Sequence, residues 1–198
     1  MRRYHIIFML SLIAVFALMT VSFQNPPLFW YTYTFSMLLC VAFSKTFSEV
    51  FDELSTTKYL LVGIPSGIIG YFLILGIYEL LPQQATTNVQ QFLAQFSPQS
   101  LFEYVVLILI IAVAEELYWR GFVQQYLKQF LRTSFAIAGA SFAFAIPLLL
   151  NGFYMPSIAA FFSGIVIGFI YERTKSMPVI ILIHIVMVTL LFLLLPLY

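Results

Sequence analysis

Charge is scarce in this chain. Of its 198 residues nine are Lys or Arg and eight are Asp or Glu, 9% in all, against about 25% in ordinary soluble domains. So little charge excludes a well-solvated surface. A net charge of +1, with no run of one sign, excludes a basic nucleic-acid interface and an acidic or basic tail. Cysteine is nearly absent too. Cys40 stands alone, so no disulfide can close within the chain, and in an apolar stretch it reads as an inert packed thiol. Histidine occurs twice, as His5 and His184. A catalytic zinc takes three protein ligands, and one deep histidine beside two carboxylates argues against a metal site, so no cofactor is expected.

What is there instead is hydrocarbon. Apolar residues make up 62% of the chain and fall in runs of about 17 to 24, the length that crosses a bilayer as a helix. Hydropathy gives seven spans, at about 6–24, 28–44, 59–81, 104–127, 134–150, 157–171 and 178–197. The first could be mistaken for a secretory signal after Met1-Arg2-Arg3. Its apolar core is too long, and no Ala-x-Ala-like site precedes Gln24-Asn25-Pro26-Pro27, so it reads as a retained span. The expected fold is an all-α, polytopic transmembrane bundle, one membrane domain over 1–198.

Orientation follows from the basic residues. With a cytoplasmic N-terminus, Arg2, Arg3, Lys45, Lys58, Lys128, Arg132, Arg173 and Lys175 all fall on the cytoplasmic side, and Arg120 in the inner part of a span. The opposite segments, 25–27, 82–103, 151–156 and the C-terminal end, hold no Lys or Arg, the positive-inside pattern. The expected location is the inner (cytoplasmic) membrane, with the lipid bilayer as the main partner. The segment Lys45 to Lys58, with Glu49, Asp52 and Glu53, reads as a solvated loop or short surface helix. Residues 82–100, rich in Gln, Thr, Ser and Asn, read as a connector or an amphipathic turn on the membrane. Gly63-x-x-x-Gly67 and Gly164-x-x-x-Gly168 place small residues on one helix face for close packing within the chain, and Pro65 is expected to kink the third span.

Two acidic residues sit deep in a span. Glu115 and Glu116 follow an apolar run from Tyr104 to Ala114, and with Lys128 as the inner boundary they lie roughly 18 to 20 Å into the membrane. Each charge there costs about 2.5 to 3.5 kcal/mol, so both should face the bundle interior or a wet cavity. Glu116 and Arg120 are four apart, stacked on one face and able to pair. Glu115 points about 100° away with no cation on its own face, and an unpaired carboxylate in low dielectric is a candidate general base. His184 lies in the last span at a compatible depth and needs a polar partner on another helix, for which Glu115 or Glu116 is the candidate. His5, beside Arg2 and Arg3, reads as an interfacial residue.

Glu115-Glu116-Leu-Tyr-Trp-Arg120, with Gly121 and the amphipathic Phe122-Val-Gln-Gln-Tyr-Leu after it, resembles the first motif, Glu-Glu-x-x-x-Arg, of the CPBP family of intramembrane proteases. This family, also called Abi, includes prenyl-protein CAAX endopeptidases and bacteriocin-processing or immunity proteins. The resemblance spans roughly 100–198 and leaves 1–99 as three preceding spans. Its second motif, Phe-x-x-x-His, falls on Phe144 to Leu148, and its third, a His followed four residues later by Asn or Asp, on His184 to Val188. Leu148 therefore replaces one histidine and Val188 the Asn or Asp; Asn151 and Thr189 are the nearest polar substitutes.

The resemblance implies a glutamate-type intramembrane endopeptidase acting on a membrane-anchored peptide or protein. Glu115 would activate water, Glu116 with Arg120 would be the structural or polarising pair, and His184 the surviving histidine. The replaced positions would have supplied oxyanion donors. Their loss gives a second reading, a catalytically degenerate immunity or scaffold protein. A third, a proton-coupled carrier with Glu115 as relay, is weakened by the lack of internal repeats.

Overall fold

A computed structural model describes residues 2–47 and 52–197. Among these residues every element is a helix, and extended pairing is confined to one isolated bridge between Asp52 and Ser176. The helices are α1 (Arg2–Gln24), α2 (Phe29–Phe47), α3 (Thr56–Glu79), α4 (Gln83–Phe96), α5 (101–127), α6 (Thr133–Leu150), α7 (Tyr154–Thr174) and α8 (Met177–Leu194). Six of them, all but α4 and α5, are long and apolar enough to cross a membrane. Large apolar side chains such as Leu61, Leu73, Phe135 and Phe162 point outward and are exposed, which in water would be a liability and in lipid is the required surface.

The fourth expected span, at about 104–127, is α5, and it is not one regular helix. It alternates between α-turns at Leu101–Val106, Ala112–Glu116 and Gln125–Leu127 and π-turns at Leu107–Ile111 and Leu117–Gln124. Sequence boundaries elsewhere hold to within a few residues, because Pro and polar caps end the helices. Pro26 and Pro27 cannot donate backbone hydrogen bonds and stop α1. α5 opens with a capping box: the Ser100 hydroxyl accepts from the Glu103 N–H, and the Glu103 carboxylate accepts from the Ser100 N–H. α3 continues through Pro65 as helix.

The region 82–100, expected as a connector or turn, contains the 14-residue helix α4. It is amphipathic: Leu93 and Phe96 are buried, and Phe96 joins an aromatic cluster with Phe23, Phe29 and Phe153. The Asn88 side chain fastens it to the α6–α7 turn, donating to the Gly152 carbonyl at 3.0 Å and accepting from the Met155 N–H at 3.0 Å.

At the basic end, Glu172 gathers donors from α5 and from the residue that follows each of α5 and α7. One carboxylate oxygen accepts from Lys128 at 2.7 Å and Lys175 at 2.6 Å, and the other from the amides of Gln124 and Gln125 at 3.0 and 3.1 Å. The C-terminus of α5 is thereby bolted to that of α7. His5 hydrogen-bonds Tyr126 at this same end. Of the segment expected to be a solvated loop, Glu49 lies outside the described residues. Its neighbours are anchored: the Glu53 N–H donates to the Lys175 carbonyl at 3.0 Å, and the Ser176 hydroxyl to Asp52 at 3.3 Å.

Small residues set the close approaches. Gly164 and Gly168 turn toward α5 and α6: a Cβ at Gly168 would stand 2.6 Å from the Gln124 amide oxygen, and one at Gly164 2.9 Å from Ser141. Gly63 and Gly67 let α3 lie against α8. A Cβ at Gly67 would meet Val186 Cβ at 2.7 Å and the Ile183 carbonyl oxygen at 2.9 Å, and backbone cannot swing aside as a side-chain tip can. Gly67→Ala is therefore expected to separate α3 from α8 and cost about 1–3 kcal/mol, read as a lower unfolding midpoint in detergent. A midpoint equal to that of wild type would show that the helices can slide.

Candidate active site

The α-turn Ala112–Glu116 lies between the two π-turns of α5. A π-turn carries i→i+5 hydrogen bonds, which place one extra residue in the turn and re-aim the side chains beyond it; such bulges are frequent at functional sites. Within the α-turn between them, two adjacent glutamates about 100° apart meet separate partners on either side of a shared His184. Glu116 is fully buried, and its Oε1 accepts from Arg120 Nη1 at 3.0 Å and lies 2.7 Å from His184 Nδ1 on α8. The Arg120 guanidinium also lies 5.1 Å from the centre of the Phe144 ring on α6.

Glu115, 6% exposed, turns the other way. Its Oε1 accepts a 2.6 Å hydrogen bond from the Tyr33 hydroxyl of α2, and its Oε2 lies 3.6 Å from His184 Nε2. The latter distance is too long for a hydrogen bond. One imidazole thus stands between two carboxylates, hydrogen-bonded to Glu116 and facing Glu115 with its other nitrogen. With that ring protonated, the charges of Glu115, Glu116, Arg120 and His184 cancel; with it neutral, one negative charge is held in low dielectric.

A cavity of about 170 Å³ opens beside Glu115 and His184. Its walls are apolar and mostly aromatic, drawn from α1, α2, α4, α5, α6 and α8. Leu148 and Val188 are both among its lining residues. The two positions where the sequence departs from the motifs therefore face the same space as Glu115, and each presents hydrocarbon to it. The substitutes suggested by sequence do not repair this. Asn151 spends its amide on the Pro147 carbonyl at 2.7 Å, closing the end of α6, and neither it nor Thr189 lines the cavity.

The sequence grouped Glu115, Glu116, Arg120 and His184, and the fold brings these four together. It missed Tyr33, whose run Phe29-Trp-Tyr-Thr-Tyr33 looks like an interfacial aromatic belt. The signal that could have found it is spacing: Phe29, Tyr33, Met37 and Cys40 are all buried and recur every three or four residues, one inward face of α2.

Residues 97–190 match the family model of the type II CAAX prenyl endopeptidases, Rce1-like. The match covers just under half of the chain, all but its first few residues in the second half. No curated protein and no solved structure matches the chain. The matched segment holds α5 to α8 almost entire, and with them Glu115, Glu116, Arg120, Leu148, His184 and Val188. Tyr33 and the α1 and α2 walls of the cavity come from outside it.

Proposed function

We propose that the chain is an intramembrane endopeptidase in which Glu115 activates water to cut a membrane-associated peptide. The observation that carries this reading is the Glu115 carboxylate at the wall of an apolar cavity, with one oxygen held by Tyr33 and the other turned toward His184. Glu115 takes a proton from water as the water oxygen bonds to the scissile carbonyl carbon. The C–N bond then breaks, and the same proton passes to the departing amine, leaving a carboxylic acid and an amine. His184 stands beside this path, its charge set through its bond to Glu116. Glu116 and Arg120 hold the imidazole in place and do not touch substrate.

Tyr33 acts as a positioning residue. By engaging Oε1 it leaves Oε2 as the basic oxygen, so Tyr33→Phe is expected to lower kcat by about 10- to 100-fold with KM little changed. Equal kcat in both proteins would remove Tyr33 from the mechanism.

The test is cleavage of quenched-fluorescent peptides ending in Cys-aliphatic-aliphatic-X, farnesylated or unmodified, by wild-type and Glu115→Gln protein in proteoliposomes. Cleavage by wild type alone supports the proposal; equal signals from both proteins sink it. A second reading, a non-catalytic relative that keeps the buried cluster, is favoured by Leu148 and Val188, which leave the cavity without the donors an oxyanion calls for. It predicts no cleavage by either protein.

A further inference from the structure

The cavity lies in one half of the bundle. Met19 and Phe23 line it from the end of α1 remote from Arg2 and Arg3, and Phe29, Trp30 and Tyr33 from the end of α2 remote from Lys45. On α5, Leu107 and Ile111 precede Glu115, whereas Lys128 follows it. On α8, Val188 and Phe192 lie beyond His184, away from Lys175, and on α6 Phe144 and Leu148 lie in the half remote from Arg132. The remaining wall is Phe92 and Phe96 of α4, a helix without Lys or Arg.

Toward the basic end the same site is closed. Tyr118 and Trp119 are fully buried, with Arg120 and Phe122 all but so, in the turns of α5 that follow the glutamates. Below them comes the Glu172 cluster that joins α5 to α7. The basic end is the cytoplasmic one under the positive-inside rule.

Resting on the proposed activity, the geometry points to a substrate presented from the non-cytoplasmic side: a translocated peptide, or the outward end of a membrane-anchored one, inserting an apolar side chain between α4 and the ends of α2, α5 and α8. Water for hydrolysis enters by the same face. The polar side chains that line the cavity are Glu115, His184 and Tyr33, and the rest of its wall is hydrocarbon and aromatic.

Accessibility and cleavage test this separately. Val188→Cys, Phe92→Cys and Lys128→Cys proteins would be treated with a sulfonated, membrane-impermeant maleimide in right-side-out and in inverted vesicles. Fully buried Cys40 gives the wild-type background. The expected result is labelling at 188 and 92 in right-side-out vesicles only, and at 128 in inverted vesicles only. Labelling of 188 in inverted vesicles alone, or in neither, overturns the inference, and Phe92→Cys keeps it testable if Val188→Cys does not fold. A sulfonated, impermeant version of the quenched peptide is then added to each vesicle type. Cleavage in inverted vesicles alone would also overturn the inference while sparing the protease reading. Outward labelling without any Glu115-dependent cleavage would do the reverse.

Discussion

Glu115→Gln is expected to lower turnover by about 100- to 10,000-fold, the range lost with a general base, while leaving the unfolding midpoint near that of wild type. Glutamine fills the same volume, and its carbonyl oxygen can still accept from the Tyr33 hydroxyl that stands 2.6 Å from the native carboxylate. No hydrogen bond is lost at Oε2, whose approach to His184 is 3.6 Å. What disappears is the capacity to take a proton from water. The adjacent Glu116→Gln should behave in the opposite way. Its carboxylate neutralises a guanidinium that is 2% exposed, so its loss should appear in thermal unfolding before it appears in kcat. Peptide cleavage and unfolding measured on both variants check the pair, and equal kcat values for the two would refute this division of labour.

Arg120→Leu should be the most destabilising single change in the chain, by about 3–5 kcal/mol, because breaking a buried pair leaves a lone charge in low dielectric. The stranded group is Glu116, fully buried, with the His184 Nδ1 contact at 2.7 Å the one left to it among the described residues. The cation–π contact with Phe144 goes as well. Removing both charges together should be milder. In Glu116→Leu/Arg120→Leu the penalty falls to an unpartnered His184 nitrogen, on the order of 1–3 kcal/mol, so the double variant should unfold above the single Arg120→Leu. Chemical denaturation in detergent reads this directly. A double variant no more stable than the single one would mean that Arg120 contributes by packing and not by charge.

Much of this was legible in one sequence because lipid imposes simple rules. Runs of apolar residues near 20 long had to be helices, and charges in mid-membrane had to converge, which brought Glu115, Glu116, Arg120 and His184 together. Other features obeyed rules the composition hid. α4 is rich in Gln and Thr and looked like a linker, yet Val89, Phe92, Leu93 and Phe96 follow the i, i+3, i+4, i+7 spacing of an amphipathic helix. Tyr33 sits 82 positions from its partner, and no local pattern reports a contact between α2 and α5. The π-turns leave no mark in composition at all, since they express how α5 fits its neighbours. Leu148 and Val188 were visible as departures from a motif, but only the packing of α6 and α8 shows that both face Glu115.

The π-turn at Leu117–Gln124 sets the phase of everything that follows it. Read as arithmetic, it is an α-helix that has absorbed one residue. With the residue count unchanged, a return to ordinary α-turns would rotate everything after it by about 100°. Gln124, Gln125 and Lys128 would leave Glu172, and the ends of α5 and α7 would come apart, although every side chain in the cluster was still present. In this helix the winding between Glu116 and Lys128 is itself part of the site, as a phase that keeps the glutamates aimed at the cavity and the amides at Glu172.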